Sequence, residues 1–125
     1  MSYHEFLDVV INDGIVAARE DYGETGKEMW LEGSIRGFEE CRGKSVEQLA
    51  TLLSEARTAV AQAFTDEAKD YWFWKCREAE IEWTCNVMGA ALGQRIGGVG
   101  ATCRGYIKAA EVAEKGNGCL VVEGS

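Results

Sequence analysis

The 125-residue sequence has no proline and a single histidine, and both shortages restrict what the chain can be. Without proline, nothing in the sequence forbids long, uninterrupted helices. The lone histidine, His4, excludes most histidine-based catalytic triads, histidine-rich zinc sites and the paired Glu-x-x-His motifs of di-iron bundles. No apolar run approaches the roughly 20 residues that a membrane-spanning helix needs, so no membrane span is expected.

Positive charge is also scarce, because 13 Lys and Arg stand against 21 Asp and Glu, for a formal net charge of −8. This balance argues against nonspecific binding to nucleic acid and to anionic membrane surfaces. The charge is uneven along the chain: no acidic residue occurs between Glu82 and Glu111, whereas Arg95, Arg104 and Lys108 do. The segment after Glu82 therefore lacks the acidic excess of the rest.

The five cysteines are odd in number and form no Cys-x-x-Cys motif of the kind that binds metal or carries redox chemistry. The amino-terminal sequence MSYHEFLD lacks the basic start and apolar run of a secretory signal peptide. We therefore expect free, mostly buried thiols, a cytoplasmic location and no resident cofactor. Nothing in the sequence supports a nucleophilic cysteine, since no activating base accompanies them.

Capping patterns mark helix starts at similar intervals. A Ser or Thr followed three residues later by Glu or Gln satisfies the free amides of a helix's first turn. This pattern occurs at Ser2, Thr25 and Ser45, and Thr65 is a further N-cap. Similar spacing with short breaks predicts an all-α fold, an antiparallel bundle of four to five helices.

The same reasoning sets the expected domain limits. We expect a single all-α domain over residues 1–116, in which Thr102 caps a fifth helix. Gly116 and Gly118 interrupt that helix, so residues 117–125 are predicted to form a flexible or docking tail.

The longest predicted helix covers about residues 65–96 and has apolar residues on two opposite sides. One neighbour cannot cover both sides, so this helix must lie between layers of its own chain or against a second copy. Gly89, Gly93 and Gly97 recur every four residues, which either lets another backbone approach closely or ends the helix in a loop. Close packing is the preferred interpretation, and a homodimer goes with it.

Three of the four tryptophans lie in this stretch. Residues 71–74 are four consecutive aromatics, so their rings point around the whole helix and at least one must face outward or meet a partner. A subunit interface is favoured over an intramolecular core or a ligand pocket. The predicted binding residues are Trp72, Trp74, Trp83, Gly89 and Gly93.

Two weaker hypotheses concern ionic ligands. Glu78 and Glu82 lie one helical turn apart and could hold a hard cation such as Mg²⁺ through oxygen ligands, although a solvated charged face is favoured. The glycine-rich turn could offer amides and nearby arginines to an anion, although a structural turn is favoured. The anion-binding residues would be Arg95, Gly98, Gly100 and Arg104.

The sequence thus favours a small, acidic, cytosolic helical protein that acts as a non-catalytic interaction or oligomerisation module, with a dimer as the simplest assembly. The alternative is a small enzyme or ligand-binding protein that uses carboxylate-bound Mg²⁺ or the glycine turn. Stabilisation by Mg²⁺ or nucleotides would favour the alternative, because a ligand that binds only the native state raises its stability.

Overall fold

The computed structural model describes residues 1–24, 26–100 and 110–112, and it confirms an all-α helical bundle. An isolated antiparallel β-bridge joins Ile96 and Val99. No helix in the described part of the chain combines the length and apolar content of a membrane span. The four long helices are α1 (Tyr3–Tyr22), α2 (Glu28–Cys41), α3 (Val46–Thr65) and α4 (Tyr71–Leu92).

Two of the three predicted capping boxes begin helices as expected. The Ser2 side chain accepts from the Glu5 amide, and Ser45 forms a reciprocal box with Gln48. The predicted start of α2 is wrong. This helix begins at Glu28, and its N-cap residue is Lys27, whose side chain makes no capping hydrogen bond. Thr25 itself lies outside the described residues, as do the predicted fifth-helix cap Thr102 and the tail 117–125.

The central helix is shorter at both ends than residues 65–96. Thr65 is the last residue of α3 rather than the cap of α4, and a turn separates the two helices. α4 ends at Leu92 because Gly93 adopts a left-handed conformation (φ 70°) and its amide donates back to Ala90 O. The expected row of glycines on one helical face is therefore wrong, since Gly93 and Gly97 lie beyond the helix.

Gly89 still packs closely, but against its own chain. A Cβ at this position would lie 2.6 Å from Gln94 O and 3.2 Å from Gly100 Cα, both in the turn that follows α4. The close-packing interpretation therefore holds for Gly89, and the loop interpretation holds from Gly93 onward. With the row interrupted, the predicted dimer loses one of the features on which it was based, and it stays a prediction.

Helix α4 is the central element and packs against each of the other three helices. α1 and α2 are antiparallel, as are α3 and α4: Phe64 near the end of α3 meets Tyr71 at the start of α4. α2 and α4 run in the same direction and make the most extensive contact in the bundle. Both apolar sides of α4 thereby contact helices of the same chain, while Trp72 and Ala79 stay exposed.

Two glycines allow α2 and α4 to touch backbone to backbone. A Cβ at Gly33 would overlap the backbone of Phe73, and a Cβ at Gly37 would lie 2.5 Å from Arg77 O. Real Cβ atoms do not approach so closely, so only glycine fits at these two positions. Close to the same contact, the buried Arg77 is paired with Glu40 of α2, its Nη2 donating to Oε1 at 3.2 Å.

The hydrophobic core lies around the inner face of α4 and is contributed by all four helices. Its largest fully buried side chains include Phe6, Leu7, Ile11, Phe38, Leu49, Leu53, Ile81 and Met88. Burial of side chains of this size contributes about 1.5–3 kcal/mol each, which is the main favourable term in folding.

We predict that Gly37→Ala lowers the free energy of unfolding by about 1–2 kcal/mol. Alanine improves helix propensity by about 1 kcal/mol, but its methyl group must separate two packed backbones, which places the cost in the upper part of the usual overpacking range, at about 2–3 kcal/mol. Urea denaturation measures the difference. Glu32→Ala, on the exposed side of the same helix, is the control and should change stability by less than about 0.5 kcal/mol. A Gly37→Ala protein as stable as wild type would show that the two backbones are not in contact.

Candidate functional site

The predicted binding tryptophans lie in three different places. Trp72, in the first turn of α4, is 48% exposed. Trp74 is half-buried, with its Nε1 donating to Asp70 Oδ2 at 3.1 Å and the Arg77 guanidinium 5.6 Å from its ring centre. Trp83 lines a cleft against α1. These three side chains therefore do not form one surface, and the surfaces around Trp72 and Trp83 need separate descriptions.

Five aromatic rings form a continuous line across one end of the bundle, and we call them the aromatic row. They come from the last turn of α1, the first turns of α2 and α4, and the last turn of α3. Successive ring centres lie 5.9, 5.0, 5.2 and 6.1 Å apart in the order Tyr22, Trp30, Trp72, Tyr71 and Phe64. Spacings of this size are typical of interacting aromatic pairs. The row thus joins the ends of all four helices at one surface.

The aromatic row is open to solvent over part of its length. Phe64 is 72% exposed and Trp72 is 48% exposed, and the neighbouring Met29 is 38% exposed. Since aromatic side chains offer about 150–250 Å² each, these fractions leave on the order of 250 Å² of Phe64 and Trp72 uncovered. Contiguous exposed apolar patches of a few hundred Å² are often functional contact sites on monomeric proteins.

The surroundings of the aromatic row are acidic. Residues 19–30 and 62–75, which contain all five rings, hold seven Asp or Glu and four Lys or Arg. The Lys27 Nζ lies 4.4 Å from the Trp30 ring centre in a cation–π contact, so the row already accepts one positive charge. Exposed π faces within an acidic surface favour a partner that is both apolar and cationic.

The glycine-rich turn after α4 is a compact structural unit held against α3. The Ile96 amide donates to Val99 O at 2.8 Å, and the Val99 amide donates to Ile96 O at 3.1 Å. The Ile96 side chain is buried, and Arg57 Nη1 of α3 donates to Gly97 O at 3.3 Å. This turn therefore packs on the core, and two of its amides, those of Ile96 and Val99, donate hydrogen bonds within the turn.

The residues expected to bind an anion have structural contacts where the structure describes them. Arg95 Nη1 donates to Gly98 O at 3.1 Å, so this arginine closes the turn. Gly100 is buried against α4, and a Cβ there would lie 2.9 Å from Gly89 Cα. Arg104 lies outside the described residues. Anion binding stays a prediction.

The two carboxylates expected to bind Mg²⁺ are adjacent, but a lysine accompanies them. Lys75 Nζ lies 3.1 Å from Oε2 of Glu78, which is only 5% exposed. Burial, and then the hydrogen bond and charge of Glu78, raise the pKa of Glu82. In residues 1–24, 26–100 and 110–112, no group of three or more His, Cys, Asp or Glu side chains could hold a metal ion. The Mg²⁺ hypothesis gains no third protein ligand from this geometry.

A cleft of about 390 Å³ lies along the contact between α1 and α4, and we call it the acidic cleft. Its α4 wall consists of Glu80, Trp83 and Val87. Its other walls are formed mainly by α1, with Phe38 of α2 and Val112. The α1 residues are Val10, Asp13, Gly14, Val16, Ala17, Ala18, Glu20, Asp21 and Tyr22. Four of the lining residues are acidic, and none of the described ones is basic.

Glu80 is the carboxyl group that α4 contributes to the acidic cleft. Its pKa is raised from 4.5 to about 7, first by burial and then by the negative charge of Asp21 across the helix contact. Glu80 is not among the residues that the sequence pattern predicts to be functional. The available signal was its position, because a carboxylate four residues after Cys76 and three before Trp83 lies on one of the apolar sides of α4.

The three cysteines in the described residues are free and poorly suited to act as nucleophiles. Burial is the main cause that raises the pKa of Cys41 and of Cys85 to about 12. It also raises the pKa of Cys76, which is less deeply buried. Little thiolate is therefore present at neutral pH, and the thiolate is the reactive form. Cys103 and Cys119 lie outside the described residues.

We predict that Glu80→Gln stabilises the protein at pH 8 and has little effect at pH 4. Because the folded-state pKa is raised, the protonated Glu80 contributes stability that is complete below about pH 4.5 and is lost as the pH rises through about 7. Glutamine removes this loss, which is on the order of 3 kcal/mol for a shift from 4.5 to about 7 at about 1.36 kcal/mol per pKa unit. Urea denaturation from pH 4 to pH 8 measures the gap between the two proteins. The exposed Glu47→Gln is the control. If its stability relative to wild type changed between pH 4 and pH 8 as much as that of Glu80→Gln, the effect would not be specific to the cleft.

Comparison of the chain with models of protein families, with curated proteins and with solved structures gives no match. Functional conclusions for this protein rest on its own geometry, in particular on the aromatic row and the acidic cleft.

Proposed function

We propose that this protein is a non-catalytic interaction module whose aromatic row binds a partner protein. The observation that carries the proposal is the exposure of this row, in which Phe64 is 72% and Trp72 is 48% open to solvent. Aromatic residues are enriched in protein interfaces, where a few of them supply most of the binding energy. The row is also well placed for this role, because it lies on four helix ends that the bundle holds together.

The charge around the row supports a partner segment that is basic as well as apolar. The two ranges that carry the row have seven acidic and four basic residues, and the whole chain has a net charge of −8. A second copy docked through the same surface would bring two acidic rims together, and like charges across an interface are unfavourable. A basic segment would instead place Lys or Arg side chains next to acidic residues and exposed π faces.

The cytoplasmic location expected from the sequence is part of the same proposal. Support comes from three free cysteines, two of which are fully buried. Free, buried thiols are the ordinary state of cysteine in a reducing compartment.

The proposal predicts that a synthetic peptide alternating Lys or Arg with Leu quenches the tryptophan fluorescence of the protein. Phe64→Ala should weaken this binding by about tenfold or more, because an interface hot spot contributes about 2 kcal/mol. Phe64 is the preferred position, since a side chain that is 72% exposed contributes little to the fold. Trp72→Ala should have a similar effect, with the remaining tryptophans as reporters.

Two controls distinguish binding at the aromatic row from nonspecific electrostatic binding and from nonspecific hydrophobic binding. Thr51→Ala changes an exposed side chain of α3 outside both the row and the acidic cleft and should leave the affinity unchanged. A peptide with Glu in place of Lys and Arg should not bind. Equal affinity of wild type and Phe64→Ala for the basic peptide would overturn the proposal. The row could instead bind a second copy of this chain, and sedimentation over a dilution series tests this. Self-association that Phe64→Ala abolishes would assign the row to a second copy.

A further inference from the structure

We propose that the acidic cleft between α1 and α4 is a binding site for an alkylammonium group, a positively charged amine carried on an apolar chain. This inference is independent of the proposed role of the aromatic row. It rests on three properties of the cleft: its size, the separation of its apolar and acidic parts, and its charge.

The size suits a small organic ligand. A volume of about 390 Å³ lies at the lower end of the range that ligand pockets usually have, about 300–1,000 Å³. Glu80 and Val87 lie on the α4 wall, seven residues apart, which corresponds to about 10 Å along the helix. An extended alkyl chain of several carbons can therefore lie along the cleft.

The two ends of the cleft differ in chemistry because α1 and α4 are antiparallel. At one end Glu80 of α4 lies near Asp21 and Tyr22, at the carboxyl end of α1. Toward the other end the lining is mainly apolar and includes Val10, Phe38 and Val87, with Asp13 as the acidic residue of that end. A ligand could place its ammonium group beside the Glu80 carboxylate and its carbon chain against the apolar residues near Val87.

The negative charge of the cleft lining favours a cationic ligand. Glu20, Asp21 and Glu80 line the cleft near the carboxyl end of α1, and no described lining residue is basic. The described carboxylates are not grouped so that three or more could hold a metal ion. Trp83 adds an aromatic wall, and aromatic faces attract organic cations. An organic ammonium fits this arrangement better than a chelated metal.

Proton uptake provides a signature that a purely apolar cleft would not show. The pKa of Glu80, about 7, leaves this carboxyl about half protonated at neutral pH. Glu80 faces Asp21 and Tyr22 on α1 and Cys76 on its own helix, and Asp13 lines the same cleft. A bound ammonium favours the carboxylate, so binding should release up to about half a proton at pH 7.

The experiment is calorimetric titration with three probes of the same chain length: hexylammonium, hexanol and hexanoate. Hexylammonium should bind at least about tenfold more tightly than hexanol, because a hydrogen bond to a charged group contributes about 1.5–3 kcal/mol, and hexanoate should bind least. The affinity for hexylammonium should rise between about pH 5.5 and pH 8.5, and titration in buffers of different ionisation enthalpy should show the released proton.

Variants assign the binding to the cleft. Glu80→Gln should weaken hexylammonium binding by about tenfold and abolish the proton release, whereas the exposed Glu47→Gln should change neither. Ala17→Leu, which fills the cleft without altering charge, should weaken both hexylammonium and hexanol. Thermal melts confirm that each variant is folded.

The source of the amine is decided by a fourth probe, Nα-acetyl-lysine N-methylamide. Tighter binding of this probe than of hexylammonium would assign the cleft to a lysine side chain of a protein, and weaker binding would assign it to a free amine. The proposal is overturned if hexanol or hexanoate binds as tightly as hexylammonium, or if Glu80→Gln leaves hexylammonium binding unchanged in a folded protein.

Discussion

The backbone contact between α2 and α4 at Gly33 and Gly37 determines the arrangement of the other helices. With side chains at these positions the two helices would have to separate, because an added Cβ would meet the backbone of Phe73 and Arg77. The close approach puts the most extensive helix contact at the centre of the bundle and leaves α1 and α3 on other sides of α4. It also brings Arg77 to Glu40, so the buried guanidinium has a paired carboxylate.

Both candidate functional surfaces follow from this arrangement. Parallel α2 and α4 bring their first turns to the same end of the bundle, where Trp30 and Trp72 meet at 5.0 Å and begin the aromatic row. Packing of α1 against α4 brings Asp21 close to Glu80 and leaves the cleft between the helices. The row and the cleft share Tyr22, so they are adjacent on the surface.

Local signals in the sequence were sufficient for the fold class but not for the sites. The serine caps at Ser2 and Ser45 begin helices where the residue pattern places them, because capping depends on only four consecutive residues. The end of α4 depends on the φ angle of Gly93, and a packing glycine has the same sequence signature as a terminating one. The perturbation of Glu80 depends on Asp21, a residue of another helix that no local pattern connects to it.

The α2–α4 contact also has a consequence for the order of folding. The hairpins α1–α2 and α3–α4 have short connections, residues 23–27 and 66–70, so they close small loops. The pairing of Arg77 with Glu40 spans 37 residues and requires a much larger loop. Because loop closure opposes long-range contacts more strongly than local ones, we infer that the two hairpins form first and that their glycine contact forms late on the folding pathway. A φ-value near zero for Gly37→Ala would agree with late docking, and a value near one would exclude it.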